Sequence, residues 1–116
     1  MNFQQAFQTC FRKYTDFTGR ASRPEYWWFI LAYIILAFVA GFIHKFVYFV
    51  VVLVFVLPML AVGARRLHDI GKSGWFLLLG LIPVVGGLVL LYFMVQPSQP
   101  ETNAYGAPPS GLPAVA

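Results

Sequence analysis

Charged residues are scarce in this sequence, and three long stretches lack them entirely. Only 10% of the 116 residues are Asp, Glu, Lys or Arg, whereas about a quarter is usual for a soluble domain. None occurs from Tyr26 to Ile43, from Phe46 to Ala64 or from Trp75 to Val95, which are runs of 18, 19 and 21 residues. As helices these runs would reach roughly 27–32 Å, close to the ~30 Å hydrocarbon core of a bilayer. A soluble protein of this size is excluded, because it could not bury three such runs.

Cysteine occurs once, at Cys10, which excludes an intramolecular disulfide framework. No Cys or His stands at metal-ligand spacing from it, so we predict neither a metal site nor a cofactor, and interpret Cys10 as apolar filler. The short alternating segments of a membrane β-barrel are also missing. We therefore predict an all-α membrane protein with three transmembrane helices, spanning about 26–43, 46–64 and 75–95, within a single membrane domain over residues 1–95.

The two ends of the chain differ from these spans. In residues 1–16, Phe3, Phe7, Cys10, Phe11 and Tyr14 recur at spacings of three and four, which predicts an amphipathic N-terminal helix. Such a helix lies in the membrane interface or packs on one end of the bundle. Residues 96–116 hold five of the eight prolines and no Lys or Arg, which predicts a flexible tail.

Local signals place the turns between the spans. Ser22 and Glu25 are spaced as in a capping box that begins the first helix, and only His44-Lys45 separates the first two runs, which predicts a tight hairpin. Pro83 with Gly86-Gly87 interrupts the third run. That run is either one kinked span or a re-entrant pair of half-helices, which would return the C-terminus to its starting side.

Basic residues predict the orientation. Seven of the eight lysines and arginines lie on the side of the membrane that holds the N-terminus, four before the first span and three between the second and third spans. Lys45 alone lies on the other side. Because cytoplasmic segments carry the excess of Lys and Arg, we predict a cytoplasmic N-terminus in a plasma membrane. For three full spans the C-terminus would then lie outside.

Two polar stretches border the spans at the predicted cytoplasmic face. The first includes Gly19, Arg20, Arg23, Glu25, Trp27 and Trp28, and the second includes Arg65, Arg66, His68, Asp69, Gly71, Lys72, Ser73, Gly74 and Trp75. Each stretch carries both charge signs. We therefore predict that Glu25 approaches the Arg65–Arg66 pair, and that Asp69 approaches Arg20 or Arg23.

Both stretches resemble signatures of the DUF805 family of small bacterial inner-membrane proteins. The first fits the pattern F-x-G-R-x-x-R-x-E-Y-W, and the second fits R-R-L-H-D-x-G-K/R-S-G-W. In the tail, Asn103, Tyr105 and Gly106 resemble a short N-x-Y/F-G motif that follows the last span. The resemblance covers nearly the whole chain. It implies an integral protein of the bacterial inner membrane, multi-pass and without an established biochemical activity.

The second polar stretch has three interpretations. It is a positive loop with internal ion pairs that orients the chain during insertion. Alternatively, Arg65, Arg66 and Lys72, together with Arg20 and Arg23, bind an anionic lipid headgroup or a partner. In the third interpretation His68 and Asp69 form an acid–base pair.

We predict a non-enzymatic module whose cytoplasmic basic-aromatic layer binds membrane lipids or another membrane protein. The alternative is a small transporter or channel component that acts as a homo-oligomer. Gly71-Lys-Ser73 lacks the preceding glycine of a phosphate-binding loop, so nucleotide binding is not indicated. The basic charge lies beside membrane spans, so no nucleic-acid partner is predicted.

Overall fold

The computed structural model describes residues 2–108, and every regular element in this part of the chain is a helix. In chain order these are α1 (Phe3–Arg12), α2 (Arg23–Ile43), α3 (Lys45–Asp69), a 3₁₀ helix (Gly74–Leu81) and α4 (Val85–Met94). An isolated bridge joins Asn103 to Gly106. The all-α prediction is therefore confirmed for the described residues.

Helices α2 and α3 form a hairpin that turns at one residue. The Ser22 hydroxyl caps α2 by accepting a hydrogen bond from the Glu25 backbone N–H, as the sequence predicts, and Pro24 lies in the first turn. The reciprocal half of the capping box does not form, because the Glu25 carboxylate pairs with Arg65 instead. His44 is extended and separates the helices, and its Nδ1 accepts from the Phe46 N–H at 3.0 Å. With 21 and 25 residues, α2 and α3 are each long and apolar enough to cross a membrane.

The third apolar run forms two short helices, and neither is long enough to cross a membrane by itself. At about 2.0 and 1.5 Å per residue, the 3₁₀ helix and α4 rise roughly 16 and 15 Å, each about half of the bilayer core. The rings of Phe76 and Phe93 lie 5.9 Å apart, so the two helices lie side by side. Trp27 Nε1 donates to the Met94 carbonyl at 3.0 Å, which places the end of α4 beside the start of α2. The two half-helices considered as an alternative are what this segment forms.

A tight turn at Pro83–Val84 reverses the chain between these short helices. The Val85 N–H donates to the Pro83 carbonyl at 2.7 Å, and Val84 has φ 64° and ψ −64°. This is a γ-turn, whose positive φ is strained for a β-branched residue. Gly86 is needed beside it, because a β-carbon there would stand 1.6 Å from the Leu79 carbonyl oxygen. The break visible in the sequence is therefore the point of reversal.

Helix α1 packs on α2 and α3 through its apolar face. The Phe11 ring lies 5.5 Å from that of Phe29 and 5.2 Å from that of Phe55, and Phe7 contacts both rings. Cys10 on the same face is fully buried. Of the two placements predicted for the N-terminal helix, the structure has the one packed on the bundle, and the helix is shorter than residues 1–16.

The first part of the tail lies against the end of the bundle where α2 begins and α3 ends. Its backbone is irregular, as the proline content indicates, but Arg20 holds it by donating to the carbonyls of Gln99 and Glu101 at 2.7 and 3.0 Å. The sequence did not predict this docking. The tail thus returns to the end from which the chain enters α2, instead of leaving at the opposite end. Residues 109–116, to which the prediction of flexibility also applies, lie outside the described part.

Candidate functional site

Five charged side chains are buried together at the end of the bundle where α2 begins and α3 ends. They are Arg20, Glu25, Arg65, Arg66 and Asp69, none more than 7% exposed, and we call them the buried ion-pair cluster. Arg65 pairs with Glu25. Asp69 pairs with Arg20 and with Arg66, each at 2.9 Å. The pairings predicted between the two polar stretches are therefore confirmed.

Asp69 is the acceptor at which three segments of the chain meet. Its Oδ1 accepts from Arg20 Nε, and its Oδ2 accepts from Arg66 Nη1 and from the Ser98 hydroxyl. These donors come from the segment before α2, from α3 itself and from the tail. Because an uncompensated buried carboxylate is costly, Asp69 stabilises the arrangement only while these donors are in place.

The cluster contains three guanidinium groups but only two carboxylates, and backbone carbonyls accept most of the remaining donors. Those that accept from Arg20, at 2.7–3.2 Å, belong to Asp69, Gln99, Glu101 and Gly106. Those of Met94 and Gln96 accept from Arg66, and that of Asp16 accepts from Arg65 at 3.1 Å. The planar guanidinium, with its five donors, suits such divided contacts, whereas a lysine ammonium does not.

Arg65 and Cys10 lie on the side of the cluster nearest α1. Arg65 Nη2 is buried, and no group within residues 2–108 accepts a hydrogen bond from it. Cys10 Sγ lies 3.8 Å from Glu25 Oε2. Burial and the negative charge of Glu25 raise the pKa of the Cys10 thiol to about 12. The thiol is therefore protonated at neutral pH and is not an activated nucleophile.

His68 does not pair with Asp69, although the two are adjacent in the chain. His68 Nδ1 lies 2.9 Å from the Gly19 carbonyl oxygen, and because a carbonyl only accepts, Nδ1 carries the proton. The imidazole stacks on Tyr105 with ring centroids 3.9 Å apart and planes 1° from parallel. The acid–base pair considered from the sequence is therefore not assembled. Within residues 2–108 no three His, Cys, Asp or Glu side chains are grouped as metal ligands.

The tail motif over residues 103–106 covers the end of α3. Asn103 Nδ2 donates to the His68 carbonyl at 2.9 Å and to Gln99 Oε1 at 2.7 Å. Gly71, just after α3, has φ 80°, and a β-carbon there would stand 2.7 Å from Gln99 Nε2. Glycine at this position adopts the positive φ without strain and leaves room for the tail.

The tryptophans and the serine of the two polar stretches lie around the cluster. Trp27 holds the end of α4, and Trp28 packs edge-on to Phe3 of α1 with ring centroids 5.9 Å apart. The Ser73 hydroxyl caps the 3₁₀ helix by accepting from the Trp75 backbone N–H at 3.2 Å. The Trp75 side chain is itself exposed.

The residues predicted to bind headgroups do not form one open surface. Three of the five are the arginines of the buried ion-pair cluster, whose guanidinium groups have partners inside the protein. Arg23 is half-buried and donates to the Val95 carbonyl at 3.2 Å. Lys72 is exposed, with its ammonium 5.5 Å from the centroid of the Phe93 ring.

The two polar stretches and the tail motif all fall within one family match. A family model described as "Protein of unknown function (DUF805)" matches residues 14–107. The chain belongs to the DUF805 family. Inner membrane protein YhaH of Escherichia coli (strain K12) is 41% identical over 112 residues, covering 84% of this chain and 90% of that protein. Inner membrane protein YhaI of the same strain is 35% identical over 112 residues, covering 90% and 95%. No solved structure matches the chain.

These DUF805 relatives, together with the apolar helices, make the chain an integral inner-membrane protein, and the resemblance drawn from its motifs is confirmed. The motifs coincide with the buried ion-pair cluster and with the tail that covers it. Sequence reasoning missed Ser98 and the carbonyl groups that accept from the arginines. Every residue has a backbone carbonyl, so a sequence pattern does not show which ones accept. Only the excess of arginine over carboxylate in the two stretches indicated that further acceptors were needed.

Proposed function

We propose that this DUF805 protein is a non-enzymatic membrane module whose cytoplasmic rim binds anionic lipid headgroups. The binding groups are the exposed cations Arg12, Lys13 and Lys72, which we call the rim cations. The observation that carries the proposal is their exposure at the end of the bundle where the cluster arginines are used internally. Each Lys or Arg near an anionic membrane surface contributes ~1 kcal/mol of attraction.

The proposal includes a topology in which α2 and α3 cross the membrane and residues 74–94 enter and leave on the cytoplasmic side. The half-bilayer lengths of the 3₁₀ helix and α4 support this arrangement. Returning the tail to the cytoplasm leaves the distribution of Lys and Arg at seven to one, because residues 96–116 contain neither. The excess of positive residues therefore supports a cytoplasmic N-terminus whether the third run crosses the membrane or re-enters on the same side.

The buried ion-pair cluster has a structural role in this proposal. It joins the segment before α2, the end of α3 and the tail, so that the rim cations stand on a fixed frame. Two other roles stay predictions, and no contact within residues 2–108 supports either of them. One is that of an oligomeric transporter or channel component, and the other is the binding of another membrane protein.

Removing two rim cations tests the proposal. The double variant Lys13→Gln/Lys72→Gln is expected to bind phosphatidylglycerol about thirtyfold more weakly, since two cations contribute ~2 kcal/mol. Affinity is measured by native mass spectrometry of the detergent-purified protein, with phosphatidylcholine of the same acyl chains as the uncharged reference. Binding of phosphatidylcholine is expected to be unchanged.

Lys45→Gln is the matched control, because Lys45 is an exposed cation at the opposite end of the bundle. It removes one charge and is expected to leave the affinity for phosphatidylglycerol unaltered. Equal affinity of the double variant and the parent, or an equal loss on Lys45→Gln, would show that no rim site exists.

A further inference from the structure

A cleft of about 600 Å³ opens beside the buried ion-pair cluster, between α3, the 3₁₀ helix and the tail. His68, Ser73 and Tyr105 line its polar side, and Leu60 and Leu78 are among the residues of its apolar side. Leu60 and Leu78 are also 47% and 55% exposed. Because the exposed apolar surface of an integral membrane protein faces lipid, the apolar side of the cleft is continuous with a lipid-covered surface.

The imidazole of His68 presents a hydrogen-bond acceptor to this cleft. Its Nδ1–H is already donated to the Gly19 carbonyl, so in the neutral ring Nε2 has a lone pair and no proton. Gly74 keeps that nitrogen accessible. A β-carbon at Gly74 would stand 3.5 Å from His68 Nε2 and 3.1 Å from Ala64 Cβ, and a larger side chain would close the cleft at the imidazole.

We propose that the cleft binds one phospholipid with an anionic glycerol headgroup, and that a headgroup hydroxyl donates a hydrogen bond to His68 Nε2. The acyl chains lie along the wall that contains Leu60 and Leu78. Lys72 directly precedes the cleft-lining Ser73, but its ammonium lies over the Phe93 ring, 5.5 Å from the centroid. It therefore adds positive charge to this face of the protein without lining the cleft. The inference rests on the proposed function, which brings anionic lipid to this face, and adds a single site with a preference among anionic lipids.

The chemistry of the acceptor selects this headgroup from the common ones. A choline headgroup has no hydrogen-bond donor, and an ethanolamine headgroup has a donor but no net charge. A glycerol phosphodiester has both a negative charge and two hydroxyl donors. Phosphatidylethanol has the same charge but no hydroxyl, so it is the anionic probe that lacks the donor proposed to contact His68.

The experiment compares phosphatidylglycerol, phosphatidylethanol and phosphatidylcholine of identical acyl chains on the full-length protein by native mass spectrometry. One phosphatidylglycerol is expected to bind about two- to tenfold more tightly than phosphatidylethanol, the contribution of one hydrogen bond. His68→Asn is expected to abolish that difference. The asparagine amide retains a donor for the Gly19 carbonyl but has no counterpart of Nε2.

A second variant keeps the test independent of any effect of His68→Asn on folding. Leu60→Trp fills the cleft from its lipid-facing wall and leaves the imidazole contacts in place, and it too is expected to abolish the difference. Leu53→Trp, at a similarly exposed leucine two turns earlier on α3, is expected to retain it. Equal binding of phosphatidylglycerol and phosphatidylethanol to the parent, or a preference that persists in either cleft variant, overturns the site.

The two proposals fail differently. If both anionic lipids bind alike but more tightly than phosphatidylcholine, the rim cations suffice and the His68 site is wrong. If all three lipids bind alike, the proposed function is wrong and the site fails with it.

Discussion

Replacing Asp69 with asparagine is expected to lower the free energy of unfolding by about 3–5 kcal/mol, because the change leaves buried guanidinium groups without their counter-charge. Asp69 is fully buried and accepts from Arg20, Arg66 and Ser98, which belong to three separate segments. Unfolding is measured by denaturant titration in mixed micelles. The tail is expected to be released as well, which limited proteolysis after Met94 would detect.

Glu101→Gln is the matched control for this variant. It removes one negative charge from an exposed side chain near the cluster, while the Glu101 backbone carbonyl still accepts from Arg20. Its expected effect is below about 0.5 kcal/mol, as is usual for surface substitutions. An Asp69→Asn protein as stable as the Glu101→Gln protein would show that the carboxylate does not join the segments.

The pair of Glu25 and Arg65 is expected to behave non-additively. Glu25→Leu and Arg65→Met each leave one buried charge unpaired, and each is expected to cost about 3–5 kcal/mol of unfolding free energy. The double variant removes both charges and substitutes apolar groups, so it is expected to be no less stable than either single variant. A double-mutant cycle on the parent, both single variants and the double variant measures the coupling.

Additive losses in that cycle would contradict a direct pair at this position. The design also separates charge from volume, since leucine and methionine keep the buried space occupied. Cys10 of α1, whose Sγ lies 3.8 Å from Glu25 Oε2, remains unchanged in all four proteins.

The pairings were predictable because charge is so sparse in this chain. Only four acidic residues are present, and Glu25 and Asp69 are the two that adjoin the predicted spans. A carboxylate near a membrane interface needs a cation, and topology brings the two polar stretches to one face. The start of α2 at Ser22 and the hairpin at His44 follow from equally local signals, a capping side chain and a limit on helix length.

The path of residues 75–95 was left open by the sequence for a physical reason. A charge-free run has the same hydrophobicity whether it forms one kinked span or two half-helices, so hydrophobicity does not distinguish the two structures. The outcome depends on the γ-turn at Val84 and on the contact that Gly86 permits with Leu79. Those are properties of the folded backbone, and only the Pro-Gly break marked their place.

For the tail, the sequence predicted the irregular backbone but not its contacts with the rest of the protein. Its prolines predict an irregular backbone, and residues 96–108 have one, but the hydrogen bonds that hold it are made largely by carbonyl groups of Gln96, Gln99, Glu101 and Gly106. Composition therefore indicates whether such a segment can form a helix, and contains little information on whether it docks. The motif over residues 103–106 was the one available signal.

The most direct test of the account is the side of the membrane on which the tail lies. In a Cys10→Ala background, Thr102→Cys and Lys45→Cys are exposed positions at opposite ends of the bundle, and Thr102 is a better probe than the buried Ser98. An impermeant thiol reagent added to intact cells is expected to label Lys45→Cys and to label Thr102→Cys only after permeabilisation. Labelling of Thr102→Cys in intact cells would place the tail outside and contradict its docking on the buried ion-pair cluster.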